Sequence, residues 1–193
     1  MEKREKDVQI NSALCSGAKS GQLKYLKFLL ARGADVHKYN DYALRIAAQN
    51  GHSDVVKILL EHGADVHAKD DAALRWSAET GNTRVVKLLL EHGADVHAKD
   101  YSALRFAADS GHLEVVKILL EHGADVHADN DYALRWAIRN GNAKVAMLLI
   151  EHGADINARG AESRKHKRIM PNIFTRQENW ADAYEYAEWI KDR

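Results

Sequence analysis

Between Gly51 and Gly63 the apolar residues Val55, Val56, Ile58, Leu59 and Leu60 crowd one short stretch, with Ser53, Asp54, Lys57 and Glu61 set among them. Apolar positions three and four apart fall on one stripe of a helix, so this run predicts a short amphipathic helix that Gly63 closes in a left-handed conformation. A second helix is predicted from about Ala73 to Glu79, with Leu74 and Ala78 in step for one buried face and Asp70 or Asp71 as its N-cap. Between Gly63 and Asp71 the chain reads Ala-Asp-Val-His-Ala-Lys-Asp, an extended turn with Val66 pointing inward. Helices this brief are marginal alone, and their stability has to come from packing on neighbouring units.

The same pattern recurs along most of the chain. Gly-Ala-Asp begins at Gly33, Gly63, Gly93, Gly123 and Gly153, a second glycine series falls at Gly21, Gly51, Gly81, Gly111 and Gly141, and both step by 30. A fixed period of this size marks one supersecondary unit that cannot bury its apolar face alone, so the units must stack into an all-α solenoid. The array is read over residues 10–158, in units of about 10–37, 38–67, 68–97, 98–127 and 128–158, after a charged lead at 1–9. A basic linker at 159–174 and an amphipathic C-terminal helix at 175–193 follow it. A solenoid offers a long concave surface and seldom a closed catalytic pocket.

The strings Gly111-His-Leu-Glu-Val-Val-Lys-Ile-Leu-Leu120 and Glu121-His-Gly-Ala-Asp-Val126 resemble the second helix and connecting finger of ankyrin repeats. The resemblance covers about five units and implies an ankyrin-repeat solenoid that binds another protein on its concave face. Two departures stand out. The family period is about 33, and its first helix usually opens Thr-Pro-Leu-His, where this chain has Tyr42-Ala-Leu-Arg45, Ala72-Ala-Leu-Arg75, Ser102-Ala-Leu-Arg105 and Tyr132-Ala-Leu-Arg135. The missing residues fall in the finger, between Val66 and Leu74, so the fingers should be blunt. This 30-residue form is similar to the ankyrin proteins that giant DNA viruses of amoebae encode.

Composition narrows the field without naming a partner. Lys plus Arg equals Asp plus Glu at 28 each, so the chain as a whole carries no bias toward nucleic acid or an anionic membrane. No stretch approaches the roughly 18 apolar residues of a membrane span, and Met1 to Asp7 holds no signal-peptide core. The single Cys15 can form no internal disulfide, which fits a reducing compartment and an intracellular protein, in the cytoplasm or nucleus, or within a host cell if the chain is viral.

The first helix of each unit carries the candidate binding residues. At about 100° per residue, Leu74, Ser77 and Ala78 share one face while Arg75, Trp76 and Glu79 point broadly the other way. Across units these positions give Arg45, Arg75, Arg105 and Arg135 beside Ile46, Trp76, Phe106 and Trp136, with Glu79, Asp109 and Arg139 one turn on. Trp and Arg are enriched at interface hot spots, and the functional reading is a groove that grips an apolar or acidic segment of a partner. The alternative is that the rings pack on adjacent helices and the arginines pair with nearby carboxylates. The pairs Gln49-Asn50, Glu79-Thr80, Asp109-Ser110 and Arg139-Asn140 vary most among the units, as specificity for one partner requires. Cys15 and Ser16 replace the Arg and ring of later units, which reads as an N-terminal cap.

Histidines recur at 62, 92, 122 and 152 and at 37, 67, 97 and 127, but equivalent residues in a stack sit roughly 10 Å apart. That spacing argues against a metal site; His62 and its equivalents are expected to meet the carbonyl end of the second helix instead. No phosphate-binding loop, cysteine pair or metalloprotease motif is present, so the expectation is a non-catalytic protein without cofactor, metal or small-molecule substrate, and a monomer. The run Arg164, Lys165, His166, Lys167, Arg168 offers a nuclear-import or nucleic-acid contact, or a solvated linker. In the last segment Trp180, Ala183, Tyr184 and Ala187 keep helical spacing, and Met147 replaces the lysine of earlier units, so this helix is expected to cap the fifth unit or to recruit a second protein as an adaptor.

Overall fold

The computed structural model describes residues 2–156, apart from the side chains of residues 2–6 and 100. Among these residues there are ten α-helices and no strand: α1 (Glu2–Lys19), α2 (Leu23–Ala31), α3 (Lys38–Gln49), α4 (Ser53–Glu61), α5 (Ala68–Glu79), α6 (Thr83–Glu91), α7 (Ala98–Ser110), α8 (Leu113–Glu121), α9 (Ala128–Arg139) and α10 (Ala143–Glu151). Each odd helix packs antiparallel on the even helix after it, and each such pair stacks on the next. The result is an all-α helical solenoid. Residues 2–9, read as part of a charged lead, belong to α1, whose run rich in Glu and Lys favours helix.

One leucine from every helix builds the core. Leu14, Leu44, Leu74, Leu104 and Leu134 of the odd helices and Leu29, Leu59, Leu89, Leu119 and Leu149 of the even ones are all buried, and they join a single apolar cluster that runs through every unit. Buried alanines such as Ala43, Ala47, Ala73, Ala78, Ala103 and Ala107 let the odd helices approach closely. Neighbouring odd helices accordingly pack more intimately than neighbouring even ones, which curves the stack so that the odd helices line its concave side.

Both glycine series end helices by the same reverse closure. Gly63 N–H donates to Leu60 O at 2.9 Å and Ala64 N–H to Leu59 O at 3.0 Å, while Gly81 N–H donates to Ala78 O at 3.3 Å and Asn82 N–H to Ser77 O at 2.9 Å. What surrounds them differs. A Cβ on Gly63 (φ 85°) would meet nothing within 4 Å, whereas one on Gly81 (φ 74°) would lie 2.5 Å from His112 Nδ1 of the next unit. Gly21, Gly51, Gly81 and Gly111 are therefore glycine for two reasons, their left-handed backbone and the neighbour that rests on them.

The connector departs from the expected extended turn. Lys69, Asp70 and Asp71 have φ of 57°, 57° and 53°, a left-handed turn of three non-glycine residues, and Tyr39 to Asp41 and Asp129 to Asp131 repeat it. The turn winds up chain that a longer finger would extend, and the right-handed part of α5 begins after Asp71, close to the expected Ala73. Val66 does face inward, at 8% exposure. The anticipated N-cap role of Asp70 or Asp71 is not the one found, since the Asp71 carboxylate accepts from Asp95 N–H of the next finger at 2.8 Å and faces His67 Nδ1 at 3.1 Å.

Replacing Gly81 by Ala should lower the urea midpoint more than replacing Gly63. Both substitutions meet the left-handed penalty of about 1–2 kcal/mol, but only the first displaces His112. Equal midpoints for the two variants would show that His112 gives way without cost.

Candidate protein-binding face

A left-handed turn at the head of an odd helix leaves carbonyls that the right-handed helix after it cannot satisfy. In three of the four Ala-Leu-Arg strings the arginine takes them. Arg75 donates from Nε to Asp70 O at 2.9 Å and from Nη2 to Lys69 O at 2.8 Å, Arg45 bonds Asn40 O and Tyr39 O, both at 2.9 Å, and Arg135 bonds Asn130 O at 3.0 Å and Asp129 O at 2.8 Å. The planar guanidinium suits two carbonyls one residue apart, as an ammonium would not. Three left-handed residues cost roughly 3–6 kcal/mol at 1–2 each, and two charge-assisted bonds return about 1.5–3 kcal/mol apiece. Arg45, Arg75 and Arg135 thus each commit two donors to backbone carbonyls of their own turn. Burial also lowers the Arg45 pKa from its ordinary value, against the raising effect of Tyr42, Asp41 and Cys15.

The guanidinium faces of Arg45, Arg105 and Arg135 are occupied as well. The Arg45 guanidinium lies 5.3 Å from the Tyr42 ring of its own unit and 5.3 Å from the Trp76 ring of the next, and Arg105 and Arg135 lie over Tyr132 at 3.9 and 5.3 Å. Arg105 also approaches the Asp129 carboxylate at 4.0 Å. Rings and cations so interleave from unit to unit.

The aromatic row keeps its exposed edges. Trp76, Phe106 and Trp136 are half-buried, while Ile46 at 7% exposure is a core residue with little surface to offer. Glu79, Asp109 and Arg139, one turn further along, are exposed. Arg139 folds back over the Trp136 ring at 4.2 Å. Asp109 Oδ1 accepts from Asn140 Nδ2 at 2.5 Å, and among the described residues the Glu79 carboxylate has no partner. Tyr42 and Tyr132, absent from the sequence-derived set, are part of this face; their 90-residue spacing at the head of Ala-Leu-Arg was the available signal.

The histidines join units and close helices. His62, His92, His122 and His152 each donate from Nδ1 to the carbonyl four residues back at 2.8 Å, at the C-terminal end where a cation or donor is favoured. His52 and His112 donate from Nε2 to Lys19 O and Glu79 O of the preceding unit, both at 2.9 Å, and Asn82 and Asn142 do the same work between them in the stack. His37, His67 and His127 face the buried Asp41, Asp71 and Asp131 at 3.0–3.1 Å. Each of these carboxylates also receives the Asp N–H of the following finger, and Asn11 plays their part in the first unit. Tyr101 interrupts the series and meets the His97 ring edge-on with centroids 5.0 Å apart. Burial raises the Cys15 thiol, with the Arg45 charge acting the other way. Arg164, Lys165, Lys167 and Arg168 and the expected cap around Trp180 and Tyr184 lie outside the described residues.

A family model for ankyrin repeats, built of three copies, matches residues 14–100 and 76–160. The chain belongs to the ankyrin-repeat family. No curated protein matches it. Ankyrin repeats are in general modules of protein–protein interaction and typically non-enzymatic scaffolds, so the family sets another protein as the class of partner. Among the described residues no helix is long and apolar enough to cross a membrane.

The arginine fork predicts that Arg75→Ala lowers unfolding stability by about 1–3 kcal/mol, and that Arg75→Lys restores little of it because an ammonium cannot span both carbonyls. Chemical denaturation of the two variants checks this. Full recovery with lysine would mean that charge alone matters there.

Proposed function

We propose that this ankyrin-repeat chain is a non-catalytic scaffold that binds a segment of another protein along its concave face. The observation that carries the reading is the row of half-buried rings at Trp76, Phe106 and Trp136, flanked by the exposed positions at which otherwise similar units differ. Half-buried aromatics held in place by their neighbours lose little entropy on binding, and Trp and Tyr dominate interface hot spots for that reason. The arginines of the Ala-Leu-Arg strings enter as supports of the turn and of the rings, with their hydrogen-bond donors directed inward.

The blunt turns support a concave footprint over one at the finger tips. A finger shortened by three residues projects less backbone, and its carbonyls at Lys69, Asp70, Asp129 and Asn130 are already held by arginine. The 30-residue unit and its Ala-Leu-Arg opening support the likeness to giant-virus ankyrin proteins, and with it an intracellular setting in a host cell. An adaptor role is favoured by one sequence observation, the amphipathic spacing of Trp180, Ala183, Tyr184 and Ala187 beyond the array.

Affinity capture with the full chain, a Trp76→Ala, Phe106→Ala, Trp136→Ala variant and a chain ending at Arg159 separates these readings. A captured protein lost with the triple variant and kept by the shortened chain is the expected result; the opposite pattern would make the tail the binding element. Against that partner, substitutions at Lys69, Lys99 or Asp129 should weaken binding less than Trp76→Ala. Comparable losses at both sets would remove the concave groove.

A further inference from the structure

Along the concave face the residue one helical turn beyond each ring sits on the same side of its helix. Reading across units, the pairs are Ile46 with Gln49, Trp76 with Glu79, Phe106 with Asp109, and Trp136 with Arg139. The fifth unit fills its own ring, since the Arg139 guanidinium stands 4.2 Å from the Trp136 centroid. The third and fourth units carry an acid where the fifth carries that arginine. Among the described residues the one cation over Trp76 is Arg45, at 5.3 Å from the preceding unit, and none lies over Phe106.

The electrostatics of the groove follow from which charges are committed. Arg45, Arg75 and Arg135 have their donors on turn carbonyls and Arg105 lies against Tyr132 and Asp129, so the row that looked basic in sequence presents little free cationic surface. What stands exposed in the centre is Glu79 and Asp109, next to the edges of Trp76 and Phe106. An aromatic face beside a carboxylate is the environment that attracts an ammonium or guanidinium, through the ring quadrupole and the opposite charge together. The chain supplies that cation closely at Trp136 and more distantly at Trp76, through Arg45 at 5.3 Å, and among the described residues supplies none at Phe106.

We propose that the partner segment is basic: a lysine or arginine side chain enters between Trp76 and Phe106 and pairs with Glu79 and Asp109, next to apolar side chains that cover the rings. The assignment rests on the concave-face reading and sharpens it, replacing the acidic segment that the arginine row suggested in sequence by a segment of opposite charge. Arg139 marks the end of the acidic stretch, so the segment's cationic part lies over the third and fourth units and its neutral or acidic part over the fifth.

The test is selection of random linear peptides displayed on phage against the full chain, repeated on a Glu79→Arg, Asp109→Lys variant. Both positions are exposed, and an unchanged thermal melt establishes that the variant remains folded. Selected peptides should be enriched in Lys or Arg. They should bind the charge-reversed variant about tenfold more weakly, close to 1.4 kcal/mol, and that variant should instead enrich Asp and Glu. Peptides that lose binding with Trp76→Ala yet show no basic enrichment, or the same enrichment on both baits, would overturn the basic-segment assignment while leaving the groove in place. Peptides indifferent to Trp76→Ala, or a selection that yields no binder, would overturn the groove and the assignment with it.

Discussion

Closing a two-helix unit in 30 residues rather than about 33 forces the backbone through a left-handed turn, and the arginine fork on that turn makes the closure tolerable. Three successive non-glycine residues in this region are disfavoured by Cβ sterics, and they persist only where the surroundings over-determine them. Here the determinants are two carbonyls held by one guanidinium and a buried aspartate that ends the turn and receives a backbone N–H from the next unit. Removing the fork would leave the strained backbone without the bonds that hold its carbonyls. The spacing between units, the height of the odd helices and the stacking of rings on guanidinium groups all descend from that local solution.

Stacking then repeats a small number of inter-unit bonds. An aspartate or asparagine on α1, α3, α5 and α9 reaches the finger that follows, a histidine or asparagine after the second glycine reaches back to the previous odd helix, and the glycine beneath it clears the way. Such contacts are nearest-neighbour terms, so stability accrues unit by unit along the array. The junction at Tyr101 lacks the carboxylate present at Asp41, Asp71 and Asp131. There the Tyr101 ring meets the His97 ring edge-on where the other junctions hold a carboxylate.

The helices were legible because apolar period and glycine position state the same thing twice: Leu59 and Leu74 had to be buried and Gly63 and Gly81 had to end helices. The role of His62 was legible from the helix dipole alone. The turn at Lys69 to Asp71 was not, because Asp70 and Asp71 are of a type that tolerates a left-handed backbone as single residues rather than in a run of three, and its stabilising partner, Arg75, is drawn from the following helix. The arginine row suffered from the same blindness. Its regular spacing looked like a surface motif, but a side chain that recurs in every unit is as well explained by a need that recurs in every unit, and the turn is that need. Asp71 carried a parallel signal in Asn11, Asp41 and Asp131, whose meaning required knowing which finger lies beside them.

Committing the arginines to the fold changes what the concave face can discriminate. Residues required by every unit carry no information about a partner, since altering one for specificity would endanger a turn. Discrimination is left to positions free to differ, and on the odd helices those include the ring and the residue one turn beyond it. Ile46 and Gln49, Trp76 and Glu79, Phe106 and Asp109, and Trp136 and Arg139 give the groove a graded chemistry from neutral through acidic to basic. A scaffold with constant supports and variable tips can change partner through few substitutions, because mutations at exposed tips cost little stability while those in the supports cost a great deal. The separation of Glu79 from Arg75 by one turn of helix is therefore also a separation of recognition from folding.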